Sequence, residues 1–465
     1  MKKSLLILSC KGETFPVIRD LRNEGVPADI YVHDPAYQGS YKNILPRMKL
    51  DWLLSAVKRA EVICIDTIVK NKKTDRDLAL LDLFNISHNV PDLYGRLGDI
   101  LKRPPWSKMV IGGGEEVAQY ELDRSKGFEL AKKAGFSIPP YQEFKRLTEA
   151  VKFLKSSAGK AKEKWYFKAD GNVALDLTFD GTPEQLIDYL TNKVPRRLGT
   201  DLINCILQEA VEGEVVELDR EIWKVPGGRL GPFSSTLEDK KLHSRKSGPR
   251  VGSAVNTVWL DDPTLFVGIH PKDIVYKQIT VAAGLLKGYC GPISANTIIT
   301  PDLKTWFLEW TLRFGYSAVY LLLYFIKKGK LANFFLDGFK TSWKNGFVAS
   351  QVLSLYPFPP TAHNRQDMIE MIKGNLITTD FNEPGMWWLD VMKDSVDQFR
   401  VNGADGLIGV GTAHDDTMEG AIKGAFKVVD GVKITGNKQM WPLGEHLEGH
   451  TERYQRLQKW GIIQP

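Results

Sequence analysis

Cysteine is scarce in this chain. The four present, Cys10, Cys64, Cys205 and Cys290, lie far apart with no C-x-x-C spacing. That excludes a disulfide framework and a zinc knuckle, and a reduced, cytoplasmic setting is expected. Long apolar runs are also lacking. The longest, "YSAVYLLLYFI" from Tyr316 to Ile326, falls well short of the roughly 20 residues a membrane-spanning helix needs. The start "MKKSLLILSCKG" holds an apolar run too short for a signal peptide and reads as a first strand. A soluble protein with no membrane partner is expected. Charge of one sign does not dominate, since 62 basic and 56 acidic residues leave a formal +6. This balance does not choose between an anionic small substrate and a weak nucleic-acid contact, and no dense basic block marks a clear nucleic-acid site. The locally basic "EDKKLHSRKSGPR", Glu238 to Arg250, is expected to be a solvated loop. No G-x-G-x-x-G follows the first strand, which argues against a dinucleotide oxidoreductase.

What is present is ordinary globular composition, 43% hydrophobic and 25% charged over 465 residues. A chain of this length divides into two to four domains. In its opening part, "SLLILSC", "FPVIRDLRNEG", "ADIYVHD", "LDWLLSAVKRA" and "EVICID" alternate short apolar runs with helical patterns. This predicts a parallel sheet with crossover helices, ending near the paired prolines of "LKRPPWSK". A helix through "QYELDRSKGFELAKKAG", strands in "KWYFKADG" and "NCILQEAVEGEVVEL", and a strand-rich region to Gly315 follow. Turns are predicted at Asp170-Gly171 and Glu212-Gly213. A last α+β segment closes with a polar helix.

Individual motifs are weak alone. "GGGEEV", Gly112 to Val117, lacks the Lys-Ser/Thr of a phosphate loop and reads as a plain turn, and "GVGTAH", Gly409 to His414, is no stronger. His446 and His450 are four residues apart, a spacing that could present two metal ligands on one helix face, but a charged, solvated helix explains it better. Lys126 sits at a helix start and Lys168 at a strand end, where a compact cation can project into a cleft. Glu309 interrupts the apolar run "WFLEWTLRFGY". A carboxylate there costs several kcal/mol unless a cation, a metal or donors meet it.

Together the motifs resemble a known family. "AQYELDRSKGFELAKKAGFSIPPYQEF", "FKADG", "ILQEAVEGEVV", "LEDKKLHSRKSGPRVGSAVNTV" and "LEWTLRFGY" are similar, in order, to the motifs of phosphoribosylamine–glycine ligases, which are ATP-grasp enzymes. "WKNGFVASQVLSLYPFP" and "IGVGTAHDDTMEGAIKGAF" continue the likeness. The resemblance implies α/β and α+β architecture: an N-terminal Rossmann-like (pre-ATP-grasp) domain over 1–106, a two-lobed ATP-grasp domain over 107–335 with its small lobe about 125–200, and a C-terminal α+β domain over 336–465. It implies a cytoplasmic C–N ligase, monomeric or homodimeric, that joins an amino acid to an anionic amine through an acyl phosphate. ATP and magnesium (or manganese) are the implied cofactors.

Roles follow from the same resemblance. Lys126 and Lys168 would contact the ATP phosphates, Lys168 also in catalysis. The hinge from Gln208 through Glu209 to Val211 would meet adenine, and Glu214 or Glu217 the ribose. Glu309 and Thr311 would hold the metal. Arg313 would grip a phosphate or carboxylate, with Lys11, Gly12, Thr14, Asp239 and Lys241 completing the substrate contacts. The chain departs from the family pattern at its first glycine loop, now "LSCKGETFP", and at its second, now "ADGNVALDLTF". Thr311 stands where the family has asparagine, which leaves Asp176 or another acid as a substitute ligand. Those departures leave open a ligase for another amino acid or amine acceptor, such as a modified nucleotide, or a non-catalytic nucleotide-binding relative.

Overall fold

The computed structural model describes the chain except residues 1–2, 47, 170–177, 199, 244–246, 263–273, 339–340, 360–364 and 464–465. Asp176 and the turn at Asp170-Gly171 lie outside the described residues.

The first unit is a four-stranded parallel sheet in the order Ala28–Val32, Leu5–Ser9, Val62–Ile65, Met109–Ile111. Leu5–Ser9 and Val62–Ile65 are buried throughout, as strands covered by helices on both faces must be. The covering helices include Phe15–Asn23, whose Phe15, Val17, Ile18 and Leu21 face the core, and Asp75–Leu83. The latter starts on a reciprocal cap between Thr74 and Asp77, which satisfies two otherwise orphaned amides.

A small lobe follows. Its four strands run in the order Tyr141–Arg146, Leu202–Glu209, Trp165–Ala169, Phe179–Gly181, all antiparallel. The helix Leu147–Lys155 packs Leu147, Ala150 and Leu154 against Trp165, Phe167 and Leu207.

The large lobe is built on a nine-stranded sheet. Thr305–Thr311 stands at one edge, followed by Gly291–Ile299, Val216–Lys224, Leu230–His243 and Ser247–Asp262. The sheet then continues without a break into Phe347–Leu355, Leu407–Asp415 and Met386–Trp388. Val255 to Trp259 pair with Gln351 to Phe347, so the last third of the chain shares the floor of the large lobe. "GVGTAH" lies inside Leu407–Asp415, and within the stretch expected to be a solvated loop at Glu238 to Arg250 the described residues, Glu238 to His243 and Ser247 to Arg250, belong to two long paired arms.

One further expectation is corrected by packing. The terminal helix Leu443–Lys459 is not simply solvated, because His446, His450, Arg453 and Leu457 form a buried stripe against the sheet. His450 Nδ1 lies 2.8 Å from Thr257 Oγ1 and its Nε2 3.1 Å from Asp239 Oδ2, while Arg453 Nη2 donates to that same oxygen at 2.6 Å. The glycines of "GGGEEV" serve close packing. A side chain at Gly112, where φ is +77°, would sit 2.1 Å from the Ile65 carbonyl oxygen, and its amide donates to Cys290 at 2.6 Å.

Candidate active site

A cleft of about 1610 Å³ lies between the small lobe and the face of the long sheet. Its floor follows from strand alternation. Along Val216–Lys224, Val216, Leu218 and Ile222 are buried beneath the sheet while Glu217, Asp219 and Glu221 line the cleft. On the neighbouring strand Ser234, Thr236, Glu238 and Lys240 line it. Asn296 stands opposite Glu309 in the register of the last two strands, and Thr311 opposite Ser294. The roof presents Lys168 and Gln208 from adjacent strands of the small sheet.

Glu309 is met by cations of the chain itself. Lys240 Nζ donates to Oε1 at 3.1 Å, Asn296 Nδ2 to the same oxygen at 3.3 Å, and Arg124 Nη1 is 3.6 Å from Oε2. Arg124 Nε also donates to the Ala169 carbonyl at 3.1 Å, tying the floor to the small lobe. Burial would raise the Glu309 carboxyl, but Lys240, Arg124 and Lys168 outweigh it and hold it well below the usual range. Lys168 is buried, donates to Gln208 Oε1 at 2.9 Å, and is lowered to about 7 by burial and by the neighbouring Arg124 and Lys240. Burial pulls Lys240 down, but Glu238, Glu309, Glu217 and Asp219 hold it well above its ordinary value. Burial and mutual repulsion raise the carboxyls of Asp219 and Glu238.

At the far end, Arg313 Nε donates to Glu121 Oε1 at 2.8 Å, and its guanidinium also donates to the Phe314 carbonyl at 3.1 Å. Lys11 leans over the Tyr37 ring at 5.6 Å. Burial would lower Lys11, but Glu13, Asp405 and Asp34 raise it. The Gly12 amide is engaged by Ser9 Oγ at 2.9 Å and the Thr14 hydroxyl by Asp66 at 2.7 Å. Of the anion contacts expected there, only Lys11 faces the cleft.

Lys168, Gln208, Glu209, Val211, Glu217, Glu309, Thr311, Lys241 and Arg313 all line this one cleft. Others from the same expectation do not. Lys126 is exposed, 3.5 Å from Gln119 Oε1 and 3.9 Å from Asp123 Oδ2, and Arg124 two residues earlier enters the cleft instead. Glu214 turns outward, 3.6 Å from Arg456. Asp239 points to the opposite face of its strand, toward His450 and Arg453. The residues the sequence reading missed, Glu238, Lys240, Arg124 and Asn296, sit one or two positions from those it chose or directly across a strand pair. The metal pair also needs correction. Glu309 is already satisfied by Lys240, Arg124 and Asn296, and no three His, Cys, Asp or Glu side chains among the described residues form a metal-binding group. Glu309 and Thr311 as arranged do not fit a divalent ion.

A parallel-sheet first unit, a cleft between two antiparallel sheets and a last unit that shares the cleft's floor make up the architecture of the chain. No protein-family model matches the chain, and no curated protein matches it. Solved structures do. The phosphoribosylamine–glycine ligase of Thermotoga maritima superposes with a TM-score of 0.64 at 17% identity, over 94% of this chain and 99% of that one. A biotin carboxylase complex from Campylobacter jejuni gives 0.60 at 12%, over 96% and 94%. The biotin carboxylase domain of 2-oxoglutarate carboxylase from Hydrogenobacter thermophilus, in complex with MgADP and bicarbonate, gives 0.59 at 14%, over 95% and 92%. At such identities the likeness establishes the fold.

Proposed function

We propose that the chain is an ATP-dependent carboxylate–amine ligase that forms an acyl phosphate and releases ADP and phosphate. The observation that carries this reading is the convergence of Lys168, Arg124 and Lys240 beside Glu309 inside a two-lobed cleft. A carboxylate is a poor electrophile, and phosphoryl transfer onto it asks a protein mainly for positioning and for cations that stabilise spread charge. Lys168, Arg124 and Lys240 supply those cations. In this reading the hinge at Gln208 to Val211 takes the base, Glu217 the ribose, and Arg313 with Lys11 the acceptor end. Magnesium is implied by the resemblance and present in the Hydrogenobacter complex, but Glu309 and Thr311 of this chain are not arranged to hold it.

Phosphoribosylamine and glycine are the substrates the resemblance suggests, and the Thermotoga maritima neighbour carries that name. A different amino acid or amine acceptor is favoured by one observation. Where an anionic amine would sit, Lys11 is surrounded by Glu13, Asp34 and Asp405, and the Gly12 and Thr14 donors are engaged internally. The test is ADP release by the purified protein with ATP and magnesium, with and without glycine plus phosphoribosylamine, beside a panel of other acids and amines. Stimulation by the family pair, abolished in Glu309→Ala, supports the family reaction. Stimulation by another pair identifies a repurposed ligase. Bound ATP with no turnover under any condition refutes the ligase and leaves a nucleotide-binding relative.

A further inference from the structure

The cation that Glu309 needs is already in the polypeptide. Lys240 Nζ lies 3.1 Å from Glu309 Oε1 and 3.3 Å from Glu238 Oε2, so one ammonium bridges carboxylates from two strands of the floor. Glu217 and Asp219 act on the same ammonium. Arg124 occupies the other side of Glu309 at 3.6 Å, and the Asn296 amide fills a further donor position at 3.3 Å. A divalent ion on Glu309 would have to enter beside two positive groups and displace one of them. At a separation near 4 Å, like charges repel by about 4 kcal/mol even in a surface-like dielectric. Thr311, the second expected ligand, offers only a neutral hydroxyl.

We propose that Lys240 is the resident counter-ion of the Glu309 position, taking the place of a divalent metal there. The polypeptide then supplies a fixed positive charge at the point where phosphate charge would develop. The carboxylates around it, Glu238 and Glu309 above all, are held in place by the ammonium rather than by an ion that comes and goes. This concerns the metal requirement of the cleft and goes beyond the ligase reading. It can be tested without nucleotide, so the two stand or fall separately.

Mn²⁺ binding to the nucleotide-free protein, read by electron paramagnetic resonance, decides it. Wild type should leave Mn²⁺ in its free-ion state. Lys240→Gln, which frees Glu238 and Glu309 while keeping a polar side chain, should gain Mn²⁺ affinity by about tenfold or more. The gain should vanish when Glu309→Gln is added, and Lys240→Arg, which keeps the charge, should behave as wild type. Retention of Mn²⁺ by wild type that is lost in Glu309→Gln would overturn the proposal. So would a natively folded Lys240→Gln protein with no gain. If Lys240→Gln does not fold, the comparison of wild type with Glu309→Gln decides alone, since metal-free wild type supports the proposal and Glu309-dependent binding refutes it.

Discussion

Replacing Lys168 with methionine should make the protein more stable while removing nucleotide affinity. The side chain is 8% exposed, and burial with the nearby Arg124 and Lys240 lowers it from 10.5 to about 7. The unfolded chain therefore binds more protons at this site than the native one between about pH 7 and 10.5. Native stability is penalised by the full gap below pH 7, and the penalty shrinks as pH rises toward 10.5. At 1.36 kcal/mol per pH unit, the gap from 10.5 to about 7 corresponds to about 5 kcal/mol at pH 6 and about 2 kcal/mol at pH 9. Methionine removes this penalty but leaves Gln208 Oε1 without its 2.9 Å donor, a loss of about 1–3 kcal/mol. The expected net gain is about 2–4 kcal/mol at pH 6, falling by about 3 kcal/mol at pH 9. Urea denaturation of both proteins at the two pH values measures it. A variant less stable than wild type at pH 6, or a difference independent of pH, would refute the electrostatic argument. Equal nucleotide affinity in the two proteins would remove Lys168 from the phosphate site.

Two other outcomes follow from the same geometry. A nucleotide phosphate beside Lys168 should return its pKa toward that of an ordinary amine, so ADP binding at pH 8 should take up close to one proton, and calorimetry in buffers of different ionisation enthalpy should show an enthalpy that varies accordingly. Asp239→Asn should cost about 3–5 kcal/mol, because Arg453 and the terminal helix lose a buried anionic partner, yet nucleotide affinity by titration should stay within about twofold, since the side chain points away from the cleft.

The parallel first unit was legible because its strands are short apolar runs between amphipathic helices, and Glu309 was legible because a charge in "WFLEW" demands a partner. The identity of that partner was not. Lys240 sits in "EDKK", where four consecutive charged residues conceal which face each side chain takes. A shift of one residue in a strand exchanges every side chain between faces, and that shift separates Asp239, bound to the terminal helix, from Glu238 and Lys240 in the cleft. Arg124 was hidden in the same manner, two residues from the lysine that the motif emphasised. The buried histidines had a readable signal in the spacing of His446, His450, Arg453 and Leu457, a single helical stripe, but their polarity suggested solvent. Nothing in the sequence announces that the sheet runs on past Asp262, since strand partners distant in the chain leave no local pattern.

That continuous sheet limits how the chain can be divided. A fragment ending before Phe347 would expose the edge of Ser247–Asp262, including Val255, Val258 and Trp259 beside their open backbone donors and acceptors. Unprotected edges of this kind recruit other strands. The C-terminal third is thus the cover that keeps the cleft's own floor from pairing with a neighbouring molecule, and a shortened protein would be expected to precipitate before its binding could be measured.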